Sequence, residues 1–378
     1  MLVPNYKKKK NVNLMSSLSQ AFKHKSAYPV LKSLMPKELK ESKNVVLFVI
    51  DGFGYDFIKK HVPGGFFQEN LHDVITTVFP STTAAAITTF KTGVPPQQHG
   101  LTSWIMHFKE LGTLGLPLPY VCRQGGRLRV PPQYFLPENL FDKLKTKTLI
   151  ITKKDFKDKP YNKATTGKST ELYYESFEGM FLQLRKAINW SNRRKFIYCY
   201  WPLLDTFSHH FGKDSVEVKI HVRSLQKRIK SFMEKTENTV MIITADHGHM
   251  DTTPKNTIIL NEHPKLMECL TLPACGEPRA LFCYVRPSKD KQFRDYVKKK
   301  FSNYCTLVKG EDLIKKKYFG LGKPHPRLTD RVGDYVLLAK KNYTFRDLLV
   351  NEEFRPMIGN HGGLSKEEME VPLIVVKS

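Results

Sequence analysis

The sequence predicts an α/β fold built on a mostly parallel sheet, and two observations carry that prediction. Five short runs are apolar throughout and rich in β-branched residues: NVVLFVI (44–50), KTLIIT (147–152), KFIYCYW (195–201), TVMIIT (239–244) and VPLIVV (371–376). Runs of this kind fit strands buried on both faces. Helical patterns lie between them, and strand alternating with helix is the pattern of parallel βαβ units.

Taken in chain order, residues 1–43 are lysine-rich and weakly patterned, and read as a basic N-terminal extension with some helix over 17–27. The α/β domain then occupies 44–378. STELYYESFEGMFLQLRKAI, from Ser169, reads as one helix. DSVEVKIHVRSLQKRIKSFMEK (214–235) reads as another, with Val216, Ile220, Val222, Leu225, Ile229 and Phe232 on its apolar face. Two stretches interrupt the alternation. Residues 101–146 are rich in Gly, Pro and aromatics, and residues 252–355 carry many lysines, a strand at ALFCYV (280–285) and a helix at 289–301. Both read as insertions that form a cap around the common core.

The chain of 378 residues is 40% apolar, enough for a large buried core. No run approaches the roughly 20 apolar residues that span a bilayer, and the basic N-terminus has no signal-peptide h-region. The six cysteines, Cys122, Cys199, Cys269, Cys275, Cys283 and Cys305, form no CxxC pair. A reduced, cytoplasmic protein is the expectation, with export by another route left open. Lys plus Arg number 61 against 36 Asp plus Glu, a net charge of +25. Such a field attracts polyanions, nucleic acid or an acidic surface, although the lysines are spread along the chain and only KKKK (7–10) and KKK at 298–300 and 315–317 are clustered.

In α/β sheets ligands gather beyond the carboxyl ends of the strands. Asp51 follows the first apolar run; Asp205 and His209 follow the third, in DTFSH; Asp246 and His247 follow the fourth; and His361 precedes the last, in NHGG. Three carboxylates and three imidazoles form a mixed O/N set that suits zinc, or manganese as a second choice. Six ligands exceed the needs of one catalytic zinc and suffice for two ions with positions left open, an arrangement that clamps the attacking and leaving oxygens of a phosphoryl group.

These residues lie in VIDGFGYD (49–56), FPSTTAAAITTFKTGVPPQQHG (79–100), LLDTFSHHFG (203–212), TADHGHMD (244–251) and GNHGGLSKEEMEVPLIVV (359–376). The set resembles the alkaline phosphatase superfamily, and within it the type I phosphodiesterase / nucleotide pyrophosphatase family. The resemblance implies a three-layer, alkaline phosphatase-like sandwich. It implies one zinc held by Asp51, Asp246, His247 and the nucleophile, and another held by Asp205, His209 and His361. It also implies a covalent mechanism in which a hydroxyl at a helix N-terminus attacks phosphorus and water hydrolyses the phospho-enzyme.

Three hydroxyls, Ser81, Thr82 and Thr83, stand at that helix start. Carrying over the family's Thr directly before Phe-Pro lands on Val78, which has no hydroxyl. Counting nine positions back from the Thr92-Gly93 that ends the helix gives Thr83, with Thr82 and then Ser81 as alternatives. With Thr83 as nucleophile, Ser81 or Thr82 reads as the helix cap. Two departures blur the substrate. The family's phosphate-contacting Asn, three residues after the nucleophile, is Ala86 here, and the Arg with which alkaline phosphatases meet a monoester has no visible counterpart.

Other signals are set aside. ATTGKST (164–170) lacks the first glycine of a phosphate-binding loop, because residue 162 is Asn. The CxPxR-type motif of sulfatases is absent. His210 and His249 read as facing solvent or substrate, and His99 as shaping its loop. The expectation is a two-metal hydrolase of phosphodiesters or nucleotide pyrophosphates working through a phospho-threonine. A phosphomonoesterase or a metal-dependent phosphomutase (VIDGFG resembles theirs) is the alternative, and a non-catalytic nucleic-acid or membrane-surface binder is a third.

Overall fold

The computed structural model describes residues 1–350 and 352–378. Seven strands make the central sheet: β1 (Asn44–Ile50), β2 (Leu71–Thr76), β3 (Lys147–Lys153), β4 (Thr170–Tyr174), β5 (Lys195–Trp201), β6 (Thr239–Thr244) and, last in the chain, β11 (Glu370–Lys377). Their order is β2-β11-β6-β1-β5-β3-β4. Strands β6, β1, β5, β3 and β4 are mutually parallel, and β11 alone runs antiparallel to its neighbours β2 and β6. Every residue of β1 and β6 is buried, which requires a helical layer on each face of the sheet. The fold has the mostly parallel sheet that the apolar runs predict, within the three-layer α/β sandwich that the resemblance implies.

Register fixes the site. Ile50 pairs with Trp201 and Val49 with Thr244, so β1, β5 and β6 end level with one another. The residues that follow these strands therefore emerge at one edge of the sheet.

Helix α1 (Asn11–Ala21) lies in the stretch expected as an extension, several residues upstream of the expected 17–27. It is not peripheral: Leu14, Met15 and Leu18 are buried in the main core, and the helix packs on α2 (Thr83–Thr92). The single helix expected from Ser169 is divided. Residues 170–174 pair with β3 as the edge strand β4, and α3 (Phe177–Ile188) starts only after Ser176, whose Oγ accepts the Gly179 N–H at 3.0 Å. Next come α4 (Leu203–Phe211) and α5 (Val216–Met233), the latter capped by Ser215. Helix α5 buries Val222, Leu225, Ile229 and Phe232 as expected, but Val216 and Ile220 are exposed and Val218 is buried in their place. The apolar stripe is one face of the helix, and the two residues at its start fall off that face.

The second long insertion carries an antiparallel sheet of β7 (Cys275–Glu277), β8 (Ala280–Cys283), β9 (Cys305–Lys309) and β10 (Tyr335–Ala339), in the order β7-β8-β10-β9. Helix α6 (Asp290–Phe301) buries Phe293, Val297 and Phe301 in the core beneath that sheet. The first insertion forms a small three-stranded sheet over 106–122, and an Ile105–Gly276 bridge joins the two insertions. Among the described residues no helix is long and apolar enough to cross a membrane.

Candidate metal centre and nucleophile

Because β1, β5 and β6 end level, Asp51, Asp205 and Asp246 converge with three imidazoles. Ligand-type atoms of Asp51, Asp246 and His247 lie within 4.8 Å of one another, and so do those of Asp205, His209 and His361. His247 Nε2 stands 3.3 Å from Asp51 Oδ1 and 3.6 Å from Asp246 Oδ2. His209 Nε2 is 3.3 Å and His361 Nε2 3.9 Å from Asp205 Oδ1.

The sequence folds locally to aim these groups. Asp205 and His209 are one helical turn apart on α4, hence on one face. Each imidazole turns Nδ1 toward a main-chain carbonyl: His209 toward Gly359 at 2.7 Å, His247 toward Gly248 at 3.0 Å and His361 toward Ser81 at 3.1 Å. That contact fixes the ring and directs Nε2 inward, as in imidazoles that ligate metals. Asp246 Oδ1 accepts the Gly52 and His247 N–H groups, and Asp51 Oδ2 accepts from the Tyr200 hydroxyl.

Two carboxylate oxygens are left over. Asp205 Oδ1 and Asp246 Oδ2 are buried and accept no hydrogen bond, although four imidazole Nε2 atoms stand within 3.9 Å of the former. Buried carboxylates without donors are costly, and a divalent cation would satisfy them. The electrostatics agree. Burial, then the Asp205 charge, pushes the Asp51 carboxyl well above its usual range. Burial, then Asp51, raises Asp246 likewise. Burial opposes ionisation of Asp205 as well, but the His209 and His249 imidazoles hold it well below the usual range. Positive charge is what this centre lacks, and the donor set fits zinc or manganese.

Of the three hydroxyls, only Thr83 reaches the centre. It is the first residue of α2, partly exposed, with Oγ1 3.1 Å from His247 Nε2 and 3.5 Å from Asp51 Oδ1. Ser81 is fully buried and turned away, donating to the Gly363 carbonyl at 2.9 Å and accepting from the Gly362 N–H at 3.2 Å. Thr82 occupies the N-cap position, but neither its hydroxyl nor that of Ser81 caps the helix. The Thr82 hydroxyl is buried without a hydrogen-bond partner. The first N–H to bond within α2 is that of Ala86, to Thr82 O, so the N–H groups of 83–85 have no acceptor in the helix, and the positive end of α2 faces the centre.

Several residues differ from their sequence reading or escaped it. His210 is exposed, as read, but His249 is fully buried with Nε2 3.0 Å from Asp205 Oδ1; it faces the ligand groups and not solvent, because Met250 and Asp251 pair with 359–360 and fold the segment back over the centre. Ala86 faces the other way, packed in a cluster with Tyr6, Val12 and Tyr28. Glu277, from the second insertion, is buried beside the Gly362 backbone and accepts the Trp104 N–H at 2.6 Å. Burial raises its carboxyl to about 7. Arg346 donates to Asn360 Oδ1 at 3.4 Å, next to His361. Glu277 and Arg346 lie in lysine-rich sequence with no strand-end pattern to mark them.

Solved structures of other proteins share this fold. In fold, the chain is similar to murine ectonucleotide pyrophosphatase / phosphodiesterase 5, with a TM-score of 0.68, 18% identity and 88% of each chain covered. A complex of an inactive form of that murine protein with AMP gives a TM-score of 0.67 at 18% identity, covering 87% of each chain. Phosphonoacetate hydrolase from Sinorhizobium meliloti, in complex with phosphonoformate, gives 0.64 at 16% identity, covering 89% of this chain and 91% of that one. No curated protein sequence matches the chain. The model of the family described as type I phosphodiesterase / nucleotide pyrophosphatase matches residues 45–117 and 122–363, spanning both ligand groups and Thr83. The chain belongs to the type I phosphodiesterase / nucleotide pyrophosphatase family, and is a hydrolase of phosphate esters.

Proposed function

We propose that the protein is a two-metal phosphodiesterase or nucleotide pyrophosphatase with Thr83 as its nucleophile. The observation that carries the reading is the position of Thr83 Oγ1, at the open N-terminus of α2 and 3.1 Å from His247 Nε2. Asp51, Asp246 and His247 would hold one ion with Thr83, and Asp205, His209 and His361 the other. Bound zinc, or manganese, would lower the hydroxyl pKa and neutralise charge developing on the leaving oxygen.

The chain's own residues do the rest. The free N–H groups of 83–85 orient a phosphoryl oxygen toward Thr83. Thr83 Oγ1 gives its proton to solvent and bonds to phosphorus while the bond to the leaving oxygen breaks; that oxygen departs with the electron pair and takes up a proton from solvent. Water then attacks the phospho-threonine, releases the phosphoryl product and restores the hydroxyl. The AMP complex of the murine structural relative supports a nucleotide as the class of substrate.

The test is Thr83→Ala against Thr82→Ala. On a chromogenic diester and a dinucleotide, with zinc and manganese compared, Thr83→Ala loses about 10³-fold or more in kcat and Thr82→Ala keeps most of it. Full activity in Thr83→Ala overturns the assignment. Turnover of monoesters alone, or isomerisation without release, replaces the diesterase reading with a phosphatase or a mutase.

A further inference from the structure

We propose that His249 is an additional ligand of the metal centre, binding through Nε2 the ion that Asp205 holds. The inference rests on the two-metal reading and adds to its six protein side chains beside Thr83.

The imidazole is fully buried, and neither ring nitrogen has a hydrogen-bond partner. Other buried histidines differ: His61 Nε2 meets the Lys213 carbonyl at 2.8 Å, and His99 accepts from the Leu101 N–H at 3.1 Å. A purely structural histidine would have found such a partner.

The fold makes room for this ring. Gly52, directly after Asp51, has φ +73°, and a Cβ there would stand 2.5 Å from His249 Nε2. A Cβ on Gly359, two residues before His361, would stand 3.1 Å from Nδ1. His249 is thus wedged between the two loops that carry Asp51 and His361. Its ring centroid lies 5.2 Å from that of His209, 5.4 Å from His247 and 5.6 Å from His361. Ligand-type atoms of Asp205, His247 and His249 fall within 4.8 Å of one another.

The 3.0 Å between His249 Nε2 and Asp205 Oδ1 is short enough for a hydrogen bond, yet the two atoms are not aligned for one. Two ligand atoms facing a common ion stand in this way. Asp205 belongs both to this group with His247 and His249 and to the one it forms with His209 and His361, so His249 adds a nitrogen donor beside the Asp205 ion. An added nitrogen donor favours zinc over manganese, so His249 sets metal preference at this half of the centre.

The experiment is metal binding by the purified full chain, read by chelator competition and by the visible d–d bands after cobalt loading. His249→Ala lowers zinc affinity of one ion at least tenfold, lowers manganese affinity by a smaller factor and shifts the cobalt bands. Its unfolding temperature in excess chelator stays at the wild-type value, which separates ligand loss from a packing defect. If His249→Ala does not fold, His249→Met is read in its place. His361→Ala serves as the reference. Altered binding in His361→Ala with unaltered affinity and bands in the His249 variant overturns this inference alone. Unaltered binding in both overturns the two-metal reading as well.

Discussion

Ser81 Oγ donates to the Gly363 carbonyl at 2.9 Å, across 282 residues of sequence. With the Gly362 N–H it receives in return, it latches the entry of α2 to the loop that carries His361, whose Nδ1 faces the Ser81 carbonyl. The latch holds Thr83 and His361 in one frame. Ser81→Ala leaves a buried N–H and a buried carbonyl unpaired, which costs about 1–3 kcal/mol. Orientation of His361 is lost as well, and activity falls about 10- to 100-fold. Urea unfolding and kcat on a diester check both; a variant with wild-type kcat shows that the latch does not position the site.

The strand-end pattern made most of this site legible. An apolar run followed by Asp says both where a strand ends and that a carboxylate emerges there, so Asp51, Asp205 and Asp246 could be read as neighbours. His249 was not legible, because DHGHMD gives no periodicity and only the pairing of 250–251 with 359–360 turns it inward. Strand β4 was misread as helix because TELYY alternates too briefly to outweigh the helical pattern after it; its pairing with β3 is a tertiary fact. Residues 1–43 looked peripheral because α1 carries serines and asparagines at positions that are fully buried. Their partners lie far along the chain: Asn11 Nδ2 donates to Thr77 Oγ1 at 3.1 Å, and Thr77 in turn donates to the Asp246 carbonyl.

That packing makes α1 part of the body. Leu18 is fully buried in the main core. Leu18→Ala should cost about 2–5 kcal/mol through lost burial and the cavity left behind. A detachable extension would show no loss, so an unchanged denaturation midpoint would contradict the burial.

Ala86 stands three residues after Thr83, where the resemblance implies a phosphate-contacting Asn, but it is buried in a cluster with Tyr6, Val12 and Tyr28 of the N-terminal segment. Ala86→Asn overpacks that contact and should destabilise by about 1–3 kcal/mol, without lowering KM for a diester. A stable variant with a lower KM would mean that the side chain reaches the substrate after all.

Removing metal should destabilise the fold. Asp51, Asp205 and Asp246 crowd one edge of the sheet, and two of their oxygens accept no hydrogen bond. An ion present at about 1,000 times its Kd adds about 4 kcal/mol to the stability of a protein that binds it only when folded. Chelation should therefore lower the unfolding temperature by several degrees, and zinc should restore it. An identical melting curve with and without chelator would remove the metal reading.

The last prediction concerns Lys10, the one member of KKKK (7–10) that is buried. Its Nζ donates to the Thr77 carbonyl at 2.7 Å and to Thr76 Oγ1 at 2.9 Å, and burial lowers its pKa from 10.5 to about 7. The folded protein thus releases this proton more readily than the unfolded chain does. Below about pH 7 both states are protonated and the cost of burying the charge is constant. Between about 7 and 10.5 the unfolded state binds more protons, so stability rises with pH, by a few kcal/mol in all. Lys91, lowered by burial to about 8, acts in the same direction, so the slope of the wild type alone does not identify the group. Lys10→Met isolates it. The variant leaves the Thr77 carbonyl unpaired at every pH, a constant cost, and removes the Lys10 share of the slope. Urea unfolding at pH 7 and pH 10 should show a smaller gain with pH in Lys10→Met than in the wild type; equal gains would mean that Lys10 keeps its ordinary pKa in the folded protein.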